Sequence, residues 1–259
     1  MSSDLDKDQR SEPDIFQYSN LEDKFKPFAA VLKNIQVDNL ARYVWTIYKA
    51  NHQHEDNEKG NEKGKATVIP LSVSARALAG SSHILIPVNF WNGTRWLLKV
   101  PRKGTQDQFT ADDARDLRSE VLTMQLLRRE TTIPVPEVFA FSTNFNNKLG
   151  FPFILMTYLP GAAVSKIWYK ELEYPSPIRE TNAQTLEDLA AAMIQLNKFT
   201  FDKIGRIDFN EHDEPSEIRP LRELDLNAMR RQSGDDETRE PIYTEIGPFE
   251  TPSHIIPPT

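Results

Sequence analysis

The 259-residue chain contains no cysteine. Disulfides, thiolate metal sites and a cysteine nucleophile are thereby excluded, and the composition is compatible with a reducing compartment. No apolar run approaches the roughly 18–20 residues that a membrane span needs. Basic residues are outnumbered, 31 Lys and Arg against 38 Asp and Glu, for a net charge of −7. A nucleic-acid binder usually shows a basic footprint and none is visible, so neither nucleic acid nor a membrane is expected as a partner. The opening MSSDLDKDQRSEPD is acidic and polar, unlike a secretory signal or an Arg-rich transit peptide. The cytoplasm is the default expectation for the compartment.

The hydrophobic fraction of 39% and charged fraction of 27% fit a soluble globular protein. The length suffices for one large domain or two small ones. Residues 1–20 lack periodicity and read as disordered. From about 21 to 50 the chain reads as helical; in VDNLARYVWTIYKAN, Asp38 is a candidate N-cap and Leu40, Val44 and Ile47 share a stripe. NHQHEDNEKGNEKGKA, residues 51–66, repeats NEKG in tandem and reads as a polar linker. Its His52 and His54 do not make a metal site, which needs three or four converging ligands. No metal-ligating residues are assigned.

Strands follow. TVIPLSV is a candidate short strand or an entry segment, and HILIPVNF (83–90) and RWLLKV (95–100) flank Asn92-Gly93, a strong signal for a tight hairpin turn. Pro87 predicts an edge or a bulge on the first arm. TADDARDLRSEVLTMQLLRRE is a helix with a Thr110–Asp113 capping box and a stripe of Ala114, Leu117, Val121, Met124 and Leu127. VFAFS and FPFILMTYLPG read as two further strands around the turn NFNNKLG. This order predicts a mainly antiparallel sheet with one helix packed on it, an α+β arrangement. A later helix, TLEDLAAAMIQLNKFTF, has Thr185 as its cap and Leu186, Leu189, Met193 and Leu196 facing inward. Beyond about residue 208 the chain is polar, acidic or Pro-rich.

Two charged residues raise a chemical question. Strand alternation puts Arg95, Leu97 and Lys99 on one face and Trp96, Leu98 and Val100 on the other. Glu120 lies on the following helix. A strand lysine paired with a helix glutamate is the arrangement that holds nucleotide α/β-phosphates in kinases. The other reading leaves Lys99 in water on an edge strand and Glu120 on a solvated helix face. Gly80-Ser81-Ser82-His83, preceding the hairpin, stands where a nucleotide-covering loop would lie, and alone it signals only a turn. Met156-Thr157-Tyr158-Leu159 ends the last strand where a hinge would offer backbone groups to adenine, or else is a buried strand before a Pro-Gly turn.

From about 79 to 205 the sequence resembles the aminoglycoside phosphotransferase/choline kinase-like family, in the form common in fungi. The resemblance rests on RWLLKVPRKG, SEVLTMQLLRRETTIPVPEVFAFS, LGFPFILMTYLPG, Trp168 and FDKIG. It implies a protein-kinase-like fold: an ATP-binding small lobe over 67–159, an antiparallel sheet plus one helix, then an incomplete, mainly helical large lobe over 160–259 with a poorly ordered tail. Residues 21–66 would be an N-terminal helical segment and linker. Lys99 then matches the phosphate lysine and Glu120 its partner. Gly80, Ser81, Ser82 and His83 match the nucleotide loop loosely, and Met156, Thr157, Tyr158 and Leu159 match the hinge. The cofactors implied are ATP and magnesium, and the acceptor is a hydroxyl-bearing small molecule of unspecified identity.

The family also uses a His-Gly-Asp motif, an Asn five residues after its Asp, and a later magnesium-binding Asp. None of the five histidines here is followed by Gly-Asp. Glu211-His212-Asp213 and Ser233-Gly234-Asp235-Asp236 are the nearest fragments, and both read as solvated acidic loops. IGPFETPSHI resembles the stretch before the catalytic loop, after which the chain stops at IIPPT. The expectation is therefore an ATP-dependent phosphotransferase-like protein cut short of its catalytic loop, with no catalytic residue assigned and no turnover by this chain. The alternative is a non-catalytic, pseudokinase-like module that binds a nucleotide or a partner.

Overall fold

The computed structural model describes residues 23–52, 78–90, 92–161, 163–164, 168, 175–231 and 242–251. The expectations for residues 1–20, for the NEKG repeat and His54, for TVIPLSV, and for Ser233 to Asp236 lie outside these. The chain divides into two compact units, residues 1–114 with 138–158, and residues 115–137 with 159–259.

In the first unit a 3₁₀ turn, Asp23–Phe28, leads into α1 (Ala29–Leu32) and then α2 (Val37–Asn51). Gln36, extended at φ −92°, is the N-cap of α2 and makes no side-chain cap bond. Asp38, predicted as the cap, lies inside the first turn, where its charge favours the positive helix end instead. Leu40, Val44 and Tyr48 recur every four residues and are buried.

The sheet contains β1 (Leu78–Ala79), β2 (His83–Asn89), β3 (Arg95–Pro101), β4 (Val138–Ser142) and β5 (Phe153–Thr157), in the antiparallel order β1-β2-β3-β5-β4. Its core joins Ile84, Ile86, Val88, Trp96, Leu98, Val100 and Leu155 to Phe25, Phe28, Leu32, Leu40 and Val44. One sheet face is thus covered by the N-terminal helices. Trp96 stacks on Phe139 at 3.9 Å between ring centroids. Pro87 lies on β2 beyond its last pairing with β1, where no described strand flanks its outer side and a missing N–H is tolerated.

The hairpin turn is wider than a two-residue Asn-Gly turn. Phe90 N donates to Thr94 O and Gly93 N donates to Phe90 O, and Gly93 adopts φ +86°. This fits a three-residue loop ending in a left-handed glycine. Asn92 does not take a positive φ. Its Oδ1 accepts from Thr94 N and its Nδ2 donates to the Tyr48 hydroxyl at 2.7 Å, tying the turn to α2.

Helix α3 (Ala111–Glu130) opens on the predicted capping box: Thr110 N donates to Asp113 Oδ2 at 3.0 Å and Asp113 N donates to Thr110 Oγ1 at 3.2 Å. From Arg115 onward it belongs to the second unit, with α4 (Pro175–Gln195), β6 (Arg206–Phe209), β7 (Pro215–Arg219), β8 (Leu221–Leu224), α5 (Leu226–Arg231) and β9 (Tyr243–Ile246). Strands β6–β7 and β8–β9 form two antiparallel pairs. The region beyond residue 208, read from sequence as a polar tail, therefore carries the end of β6 and three further strands. A Cβ on Gly205 would come within 2.2 Å of Arg219 O, so only glycine lets β6 start this close to β7.

Helix α4 starts ten residues before Thr185, the predicted cap. Its stripe was expected to face inward. Leu186, Leu189 and Met193 are instead 53–58% exposed, because no described element covers that face.

Candidate functional site

Strand β3 organises the first unit's candidate residues. It has partners on both sides, so Lys99 sits on a central strand opposite Leu85 on β2 and Ile154 on β5, which removes the edge-strand reading. Alternation places Trp96, Leu98 and Val100 in the core beneath α2 and turns Leu97 and Lys99 to the opposite face. Lys99 is half-buried there, in rows formed by Leu85 with Ile154 and by Pro87 with Met156.

The other predicted residues of this unit fall along the same strand. Thr157 pairs with Trp96 and Met156 with Leu97, and Tyr158 N donates to Arg95 O at 3.1 Å. The Arg95 guanidinium lies over the Tyr158 ring at 5.6 Å. The far end of β3 meets the small-residue loop: His83 pairs with Pro101, Arg102 N donates to Ser82 O at 2.8 Å, and Gly80 N donates to His83 O at 2.9 Å. Lys99 thus stands between the hinge-like segment and the loop, on a strand about 23 Å long at 3.3 Å per residue. The loop is a tight turn that does not depend on glycine: a Cβ on Gly80 would meet only His83 O, at 3.4 Å. Met156 buries its side chain, and Leu159, 46% exposed, belongs to the second unit.

Glu120 also lies in the second unit, half-buried on α3. Its neighbour Ser119 donates from Oγ to Ile207 O, and Arg118 donates to Phe209 O at 2.8 Å and to Asn210 O at 2.7 Å. Leu122 and Leu126 pack with Phe209.

The weaker fragments receive structural accounts. His52 closes α2, its Nδ1 2.9 Å from Tyr48 O and its ring stacked on Tyr48 at 4.0 Å. Glu211-His212-Asp213 is the β6–β7 turn: Asn210 Oδ1 accepts from His212 N and Glu214 N, and Asp213, at φ +58°, pairs with Arg118. After β9, Phe249 exchanges two backbone hydrogen bonds with Ile204. Among the described residues, no three His, Asp or Glu side chains gather as metal ligands, and no helix is long and apolar enough to cross a membrane. A cavity of about 560 Å³ in the first unit is lined by Lys33, Gln36, Thr105, Asp107 and Phe145 among others, and by none of the predicted site residues.

The sequence reading missed an ionic cluster around Asp116. Its Oδ1 meets Arg206 and lies 3.3 Å from Arg219 Nη2, and its Oδ2 accepts from Arg222 Nη1 at 3.1 Å. Asp208 lies 3.0 Å from Arg219 Nε, and Glu245 lies 3.1 Å from Arg206 Nη2. The alternation of charge with Ile207 and Phe209 in RIDF was the one local sign of a half-buried strand here.

A family model described as "Phosphotransferase enzyme family" matches residues 85–242. The chain is 23% identical over 184 residues to "Altered inheritance of mitochondria protein 9, mitochondrial" of Candida tropicalis, a match covering 70% of this chain and 29% of that protein. Proteins of the same name from Candida dubliniensis and Debaryomyces hansenii are each 28% identical, over 59% and 60% of this chain and 24% of their own lengths. The chain thus spans about a quarter of the length of the curated relatives it matches. No solved structure matches. The cytoplasmic expectation is withdrawn, because these relatives are named as mitochondrial proteins.

Proposed function

This chain belongs to the phosphotransferase enzyme family, more than half of it lying within the family match, and we propose that its described residues supply the nucleotide-holding part of an ATP-dependent phosphotransferase site. The observation that carries this reading is Lys99. It is half-buried on the central strand, between the Met156–Tyr158 segment and the Gly80–His83 loop, so its charge would lie beside a ligand running along that strand. Lysine is a point-charge phosphate binder on a flexible stem, suited to this place. On this reading Met156 to Tyr158 would meet adenine and Gly80 to His83 the phosphates, while Glu120 and Leu159, in the second unit, keep only the roles that the family resemblance implies.

ATP, when bound, supplies the transferable phosphoryl group, and the residues present fit its anionic end. No magnesium ligand is assigned among these residues, and no step is routed through the metal. The 259 residues also contain no His-Gly-Asp to supply a base. The reading is therefore of binding and orientation by these residues, with phosphate transfer to a small-molecule hydroxyl as the activity of the wider family. The relatives' names make mitochondria the compartment we propose.

The test is calorimetric titration of the folded chain with MgATP. Wild type should bind, and Lys99→Met should weaken binding about 30-fold or more, since truncating one partner of a buried charge pair typically costs 2–5 kcal/mol. Equal affinity in the two proteins, or no binding by folded wild type, refutes the reading.

A further inference from the structure

The second unit holds helix α3 in a way that bears on Glu120. Three guanidiniums, from Arg206 on β6, Arg219 on β7 and Arg222 on β8, converge on the single carboxylate of Asp116. Asp208 and Glu245 supply two further negative charges, so three cations face three anions. The cluster is largely shielded: the Arg219, Arg206 and Arg222 side chains are 9%, 17% and 20% exposed. Arg206 also donates from Nε to Pro220 O at 2.6 Å, so both strand pairs are drawn onto one point of the helix.

The remaining contacts follow the helix downward. Arg118 caps two carbonyls at the end of β6, Ser119 bonds Ile207 O, and Leu122 and Leu126 pack on Phe209. At about 100° per residue, positions 118, 119, 122 and 126 fall within one third of the helix circumference, and Asp116 projects about 60° beyond its edge. Glu120, four residues after Asp116, projects a further ~40° round, on the side of the helix turned away from these contacts. A helix gripped along one side over three turns is free neither to rotate nor to slide. The direction in which Glu120 projects is then set by the strands.

We propose that β6–β8 form a clamp that fixes the rotation of α3, and that Asp116 with Arg206, Arg219 and Arg222 are positioning residues for Glu120. The proposal rests on the reading of Glu120 as a residue of the nucleotide site. Asp116→Asn keeps the side-chain shape and leaves three guanidiniums facing two carboxylates, which loosens the grip because an unbalanced shielded cluster is worse than none.

Two measurements on the full chain separate the outcomes. Hydrogen exchange without nucleotide reads the clamp. Asp116→Asn should accelerate exchange of the amides of residues 117–123 at least tenfold and leave those of residues 40–48 in α2 unchanged. Arg222→Gln, which leaves Arg206 and Arg219 in place, should give a smaller effect of the same kind if Asp116→Asn does not fold. Unchanged exchange at 117–123 overturns the clamp. MgATP affinity reads the positioning. Asp116→Asn should weaken binding about tenfold in the wild-type background and add nothing in a Glu120→Gln background. Full additivity means that Asp116 does not act through Glu120, and overturns the positioning role. Loss of the Lys99→Met effect, by contrast, strikes the proposed function and leaves the exchange result to decide the clamp.

Discussion

Replacing Leu40 by alanine should destabilise the sheet that carries Lys99, although Leu40 lies 45 residues before the start of the family match. Leu40 is 0% exposed in the core shared by α2 and β2, β3 and β5. Removing a fully buried leucine side chain typically costs 2–5 kcal/mol, the spread reflecting how far the site collapses. With a urea slope of about 2 kcal/mol/M, the unfolding midpoint should fall by about 1–2.5 M. Lys49→Ala, at an exposed position of the same helix, should stay within about 0.5 kcal/mol. The stronger perturbation is a chain lacking residues 1–52. It loses Phe25, Phe28, Val31, Leu32, Leu40, Val44 and Tyr48 from the core, about 10–20 kcal/mol at 1.5–3 kcal/mol for each buried side chain. That matches or exceeds the 5–15 kcal/mol by which a domain is stable, so this shorter chain should not fold cooperatively. Urea melts followed by circular dichroism and tryptophan emission would decide it. An unchanged midpoint for Leu40→Ala, or a cooperative transition at the wild-type midpoint in the shortened chain, would show that the N-terminal helices are an appendage and refute the shared core.

Burial raises the Tyr43 hydroxyl above its ordinary pKa of 10.0, so the unfolded chain releases this proton first as pH rises. The contribution of Tyr43 should be intact below pH 10 and decline above it, and Tyr43→Phe should flatten that alkaline limb in melts between pH 9 and 11; an identical limb in both proteins counts against it. The exposed apolar face of α4 predicts self-association: the double variant Leu189→Glu, Met193→Glu should shift sedimentation profiles toward monomer while moving folding stability by less than about 0.5 kcal/mol, and an unaltered profile would mean that face is inert.

What the sequence disclosed, it disclosed through local physics. The Thr110–Asp113 box fixed the start of α3 because both partners lie within one turn, and the arms of the β2–β3 hairpin were marked by alternation around a left-handed glycine. Local signals failed where a distant partner decides. Asn92-Gly93 announced a turn, but its form depends on a bond from Asn92 to Tyr48, 44 residues away. Whether Lys99 stood on an edge or a central strand depended on β5, whose pairing with β3 no pattern near residue 99 encodes. Strands β6–β9 are four or five residues long and rich in charge, so most of that region reads as a polar tail; the anchor of β6, β7 and β8 is Asp116, 90 to 106 residues earlier. The stripe on α4 was legible as a stripe, but periodicity says which residues share a face and not whether anything covers it.

The period-two alternation of β3 explains how a charge can be kept in the middle of a sheet. Trp96, Leu98 and Val100 discharge the strand's packing obligation on the α2 side, where each is at most 1% exposed. The opposite face is then free to carry chemistry, since a residue there can change without opening a cavity under α2. A one-residue slip of β3 would exchange the faces, placing Lys99 in the apolar core and Trp96 outside it, at a cost of several kcal/mol for the desolvated ammonium alone. The core residues therefore do more than stabilise the sheet. By penalising every other register, they specify the face on which Lys99 emerges, and the hydrogen-bonded turn at Asn92 and Gly93 holds that register from the other end.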